Sequence, residues 1–161
     1  MRSALAILFV TACRATLPVA GQPDVLITLE RQACFGTCAV YTLAIYDDGR
    51  FTYHGAHFVK IEGDVSGFLT LSQVQRLERA FDDAHYFTLA NSYDNESVTD
   101  MPSAITSYRR GTRVKSIRHY YGDDTAPEAL SKLEQEIDQI VRTERWIGTP
   151  KEREELARAW Q

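Results

Sequence analysis

The chain has 161 residues, enough for one domain with a substantial core. Its 22 acidic and 18 basic residues give a net charge of −4, which excludes the basic footprint expected of a nucleic-acid binder. Hydrophobic residues at 44% and charged residues at 25% place it among globular folds and exclude low-complexity and fibrous classes.

The first element is an export signal. Met1-Arg2-Ser3 leads into the apolar run from Ala4 to Val10, too short to span a bilayer. Two processing sites compete. Val10-Thr11-Ala12-Cys13 has the form of a bacterial lipobox, with Cys13 as the lipidated residue, whereas Pro18-Val19-Ala20-Gly21 suits an ordinary signal peptidase that would remove Cys13. The lipobox reading is preferred, because the cysteine follows the apolar run directly. Either route leaves Cys34 and Cys38 as the cysteines of the mature domain.

Residues 24–32 predict a first strand and 39–46 a second, with Tyr41, Leu43 and Ile45 on one face. Asp47-Asp48-Gly49-Arg50 turns the chain into a returning strand carrying Phe51 and Tyr53. A fourth short strand is expected within 57–65, containing Phe58, Val59 and Ile61. Ser72 is the expected cap of a helix whose Val74, Leu77, Phe81 and Ala84 share a face. Residues 91–102 form a long polar loop, and 103–121 a second hairpin turning near Gly111. Thr125-Ala126-Pro127-Glu128 reads as a capping box for a helix presenting Leu130, Leu133, Ile137, Ile140 and Val141. A last short helix follows Thr149, with Leu156 and Trp160 as its apolar residues.

Antiparallel strands interrupted by helices argue an α+β fold: a sheet built from hairpins, two main helices on one face and a short C-terminal helix. The expected organisation is a signal segment over 1–21, one domain over 22–145 and a helical extension over 146–161.

Cys34 and Cys38 admit three chemistries. Fully extended, the segment would separate their Cα atoms by ~13 Å, beyond the ~7 Å that a bridge tolerates. The loop must therefore curl, and Gly36 is expected to supply a positive φ. An oxidising compartment favours a structural disulfide, whose small ring contributes ~2 kcal/mol. The weaker alternative is a Cys2His2 metal site with His54 and His57, opposed by the intervening hairpin. A redox dithiol is weaker again, because the spacing is one residue too long and a strand follows.

The stretch from Leu29 to Gly55 opens on Ala33-Cys34-Phe35-Gly36-Thr37-Cys38. With the downstream helix, Thr99-Asp100-Met101-Pro102 and the helix behind Thr125, it resembles a bacterial family of exported domains of unknown function. A Cys-Phe-Gly-x-Cys-Pro-x-Tyr motif marks that family, and many members look like envelope lipoproteins. The resemblance runs from Asp24 to Arg145 and carries over to Cys34, Phe35, Gly36, Cys38, Tyr41, Gly49, Tyr53, Gly55, Tyr93, Asp100 and Pro102. Ala39 stands where proline is usual. The resemblance implies export and a compact α+β fold and brings no activity.

No phosphate-binding glycine loop is present, and no serine sits in a nucleophile elbow, so Ser103, His119 and Asp100 make a weak triad. Tyr93, Asp94 and Asp100, with Glu96 beside them, are the candidate ligand or partner contacts of the long loop. Asp100 alternatively holds the turn before Pro102 through its side chain. Asn95-Glu96-Ser97 fits a glycosylation sequon that a bacterium would leave unread. Exposed tyrosines on a sheet face would suit protein or glycan binding. No cofactor is implied.

The expected function is therefore a non-catalytic binding module of the periplasm or cell envelope. It would act through the sheet face and the 91–102 loop on an envelope protein or glycan, and touch the membrane only through an N-terminal lipid. An envelope hydrolase, or a thiol-disulfide redox protein using Cys34 and Cys38, is the alternative.

Overall fold

The computed structural model describes residues 23–95 and 98–159. The expected signal segment, Cys13, Glu96 and Ser97 of the sequon, and Trp160 lie outside the described residues. Strands β1 (Val25–Arg31), β2 (Val40–Tyr46), β3 (Arg50–His57) and β4 (Gly63–Phe68) precede helix α1 (Leu71–Asp83). A 3-10 turn (Tyr86–Thr88), β5 (Ser92–Tyr93), β6 (Ser103–Arg110), β7 (Arg113–Tyr120), α2 (Glu128–Val141), α3 (Glu144–Ile147) and α4 (Pro150–Ala159) follow. This is a mixed α+β fold on one seven-stranded sheet of order β4-β3-β2-β1-β6-β7-β5, antiparallel except where β5 pairs with β7.

Alternation dictates the layering. Ile27 and Leu29 of β1, Tyr41, Leu43 and Ile45 of β2, and Phe51 and Tyr53 of β3 all point to one face and are buried. Val74, Leu77 and Phe81 of α1 and Leu130, Leu133 and Ile137 of α2 recur at helical spacing and join the same cluster. Two aromatic groups fill it: Tyr53 lies 5.1 Å from Trp146, and Phe81 stacks on Tyr108 at 4.2 Å. Trp146 sits in α3, so the segment beyond 145 is joined to the core by its own ring.

The other face carries short side chains. Register aligns Ser66, Thr52, Ala44, Thr28, Ser107 and Ser116 in one row across six strands. The tyrosines are divided between the two faces: Tyr41, Tyr53 and Tyr108 are buried in the core, whereas Tyr46 shares the parity of Thr42 and Ala44 and is half-buried.

Local expectations need three corrections. Phe58, Val59 and Ile61 precede β4 instead of forming it; Phe58 turns the chain with φ 50°, and Val59 plugs into the core. The cap of α1 is Thr70, whose Oγ1 accepts from the Gln73 amide while Gln73 reaches back to the Thr70 amide; Ser72 is already inside the helix. Thr125 does not cap α2. Its hydroxyl donates to Asp123 at 2.6 Å, and Pro127 occupies the N-cap position with no side-chain bond.

Candidate functional site

The C-terminal ends of β1 and β7 and the start of β2 meet one side of α2, and polar groups gather there. Arg31 follows Leu29 in the core-facing parity of β1, and Tyr41 opens the buried face of β2. Glu134 lies four residues after Leu130 and three before Ile137, in phase with the apolar stripe of α2 and 0% exposed. Asp138 lies one turn further along the same face.

These groups bond to one another. Arg31 Nη2 donates to Asp138 Oδ2 at 2.8 Å, and its Nη1 donates to the Tyr121 hydroxyl. Tyr121 donates to Glu134 Oε2 at 2.5 Å, and His119 Nδ1 lies 3.1 Å from the same oxygen. Asp138 Oδ1 accepts from Tyr41 at 2.5 Å and from Thr143 at 2.8 Å. Burial disfavours the Arg31 charge. Asp138 above all, then Tyr121, Tyr41 and Glu134, more than offset that and hold the guanidinium above its ordinary value. Burial, then Asp138, pushes the Tyr41 phenol up; burial also raises Tyr121, partly opposed by Arg31. Both therefore stay neutral donors.

The oxygens of both carboxylates are engaged by these donors, so the network pins α2 to the sheet. Only its outer edge meets solvent, in a cleft of about 230 Å³ lined by Arg31, Tyr41, Asp138, Ser103, Cys38 and Arg153.

The disulfide loop forms one wall of that cleft. Cys34 and Cys38 are bonded, with Cα atoms 5.7 Å apart. The curl does not come from a left-handed Gly36, which lies near extended backbone at φ 158°. It comes from a γ-turn, in which the Gly36 amide donates to the Cys34 carbonyl at 2.9 Å around Phe35. Arg153 of α4 donates to the Thr37 carbonyl at 3.2 Å, and the Phe35 amide donates to the Asp100 carbonyl at 3.2 Å. With its backbone fixed on both sides, the Phe35 side chain stands 89% exposed.

The remaining candidates are scattered. Tyr93 is half-buried in β5 and its hydroxyl accepts from the Ala90 amide. Asp94 is exposed. Asp100, at φ 70°, works through its carbonyl on Phe35, while its carboxylate accepts from the Thr99 hydroxyl. The acid that secures this region is Asp123, which accepts from the amides of Asn95 and Thr125 and from the Thr125 hydroxyl. Those bonds, the Thr125 hydroxyl first, lower its pKa. No hydrogen bond among the described residues links Ser103, His119 and Asp100: Ser103 accepts from Arg118, and His119 faces Glu134. His54 pairs with Asp64 at 2.6 Å, and the thiols that a metal would need are spent on each other.

Residues 25–141 match the domain of unknown function DUF6438. The chain belongs to that family. A search of curated proteins found no match. The DUF6438 region therefore includes the disulfide loop, Phe35, Arg31, Glu134 and Asp138, and ends at the last residue of α2. The network residues Arg31, Glu134 and Asp138 escaped the sequence reading, although each occupies a position whose periodicity is apolar.

Proposed function

We propose that this DUF6438 protein is an exported, envelope-tethered binding module, with residues 1–21 as its export segment. It holds a protein partner at the pole formed by the disulfide loop and residues 98–101. The observation that carries this reading is Phe35: a fully presented ring on a loop braced by a disulfide, by Asp100 and by Arg153. An aromatic anchor whose backbone is already ordered loses little entropy on binding, which is what a hot-spot residue requires. Val98 and Met101 are also exposed on the loop that Asp100 ties to Phe35, and they extend the apolar tip. A lone phenyl ring with aliphatic neighbours fits an apolar pocket of a protein better than the polar face of a glycan.

The sheet face serves this role less well. Its row of serine, threonine and alanine offers little area for an anchor, and Tyr41, Tyr53 and Tyr108 are turned into the core.

A photoreactive phenylalanine analogue at position 35, in cells, tests the reading against the same analogue at Thr52 on the sheet face. A discrete crosslinked protein from position 35, competed by unmodified chain, is expected. Crosslinks from Thr52 alone, or none from Phe35, overturn it. Membrane fractionation of Cys13→Ala tests the tether separately, and unchanged membrane association ends that part.

A further inference from the structure

The pole opposite Phe35 carries a second apolar group. In this antiparallel sheet β1 and β7 start, and β4 and β6 end, at one edge of the molecule. Phe68 and Leu71, three residues apart, are 74% and 73% exposed there, and Val25 and Val114 project from the same end. Seven residues of β1 separate this pole from the disulfide pole by roughly 20 Å.

The chain reaches the described fold at this pole. Pro23 lies in a hollow with Phe68, Tyr46 and Arg50. Pro23 lies ten positions after Cys13, a contour of at most ~36 Å. A lipid on Cys13 therefore attaches beside Phe68 and Leu71, which lie roughly 20 Å nearer to the point of attachment than Phe35 does.

We infer that Phe68 and Leu71 dock on the lipid surface to which the chain is tethered, turning the Phe35 pole away from it. The inference rests on the tether of the proposed function. Phe and Leu side chains of this size partition into the interfacial region of a bilayer, and two of them give weak binding that becomes effective only when a tether raises local concentration. Charge adds little, because Arg50 is paired with Asp48, Arg109 with Asp24 and Arg110 with Asp82, while the Arg113 guanidinium is held over the Phe87 ring at 4.3 Å. Docking should therefore show little dependence on salt or on anionic lipid.

The test couples the full chain through Cys13, the one thiol outside the disulfide, to maleimide lipid in phosphatidylethanolamine–phosphatidylglycerol vesicles. This coupling is chemical, so the result does not depend on whether a cell lipidates Cys13. Hydrogen exchange at amides 66–72 should slow at least threefold relative to the free chain, with no change at 98–101. The paired substitution Phe68→Ser and Leu71→Ser, both at exposed positions, should abolish the slowing with the thermal midpoint retained. Equal exchange at 66–72 with and without vesicles overturns the inference. So does slowing that appears in the free chain and grows with protein concentration, which would assign the patch to a second copy of the chain.

Discussion

The Phe35 amide donates to the Asp100 carbonyl at 3.2 Å, joining two loops that are 65 residues apart in sequence and that both lack regular structure. Asp100 adopts φ 70° to aim that carbonyl, a conformation that aspartate tolerates better than most side chains. One wall of the cleft is thus positioned by a carbonyl, and the carboxylate that marks the residue in the sequence is peripheral.

The Cys34–Cys38 bridge closes a five-residue ring, for which chain entropy gives about 2 kcal/mol. Replacing both cysteines with serine should lower stability by that amount, read as a shift of the urea midpoint at constant slope. Amide exchange at Phe35 and across 98–101 should quicken with it, because the Asp100 bond loses its fixed donor. A double variant as stable as the parent would show that the ring is already ordered without the bridge.

Arg31 is the one guanidinium among the described residues that faces both Asp138 and Glu134 in the core. Arg31→Met keeps much of the volume but leaves two carboxylates without their cation, a change that costs about 3–5 kcal/mol in buried pairs. Glu134→Gln retains an oxygen for Tyr121 and should cost less, about 1–3 kcal/mol. Chemical denaturation of the two variants checks the order. If Arg31→Met is the milder change, the network does not depend on its cation.

The sheet was legible because its strands alternate cleanly. Ile27, Leu29, Leu43 and Ile45 declare their face, and the Asp47–Arg50 turn fixes the register of β2 and β3. β4 was misplaced because Phe58, Val59 and Ile61 look like a strand, whereas Gly63-Asp64-Val65-Ser66-Gly67 does not; pairing with β3 overrides that weak propensity. The network stayed hidden for another reason. Arg31 and Glu134 occupy core positions, but whether a charge there is buried or turned outward depends on its partner. That partner lies more than 100 residues away for Arg31 and Asp138.

Glu152 tests an end of the molecule that the family match does not reach. The Thr149 amide and then its hydroxyl, followed by Lys60, hold its carboxyl near 2 instead of 4.5. A depressed folded value stabilises the N-terminus of α4 above about pH 4.5, and the contribution is lost as pH falls toward 2. Exchange of the Thr149 and Glu152 amides should quicken over that window in the parent chain. In Glu152→Gln it should stay flat. A parent profile without an acid limb would mean that the cap contributes nothing in solution.

Gly55 carries the last prediction. Its backbone is not left-handed, so conformational freedom is not what the position demands. Space is the constraint: a Cβ there would lie 2.2 Å from the Ile61 carbonyl oxygen, 2.8 Å from the Tyr53 hydroxyl and 2.9 Å from a Val59 methyl. The Ile61 contact is backbone, and the Ile61 amide is itself bonded to the Trp146 carbonyl at 2.9 Å, so the 58–62 segment cannot retreat without pulling on α3. Gly55→Ala should therefore destabilise by about 1–3 kcal/mol as an overpacked site. The emission of Trp146, 5.1 Å from Tyr53, should report the displacement. Gly63→Ala makes the control for lost conformational freedom: its φ of 86° is strained for alanine, yet nothing lies within 4 Å of the added carbon. The control should lose stability with Trp146 emission unchanged. If Gly55→Ala leaves that emission unmoved as well, the close approach of β3 to the 58–62 segment is not what Gly55 provides.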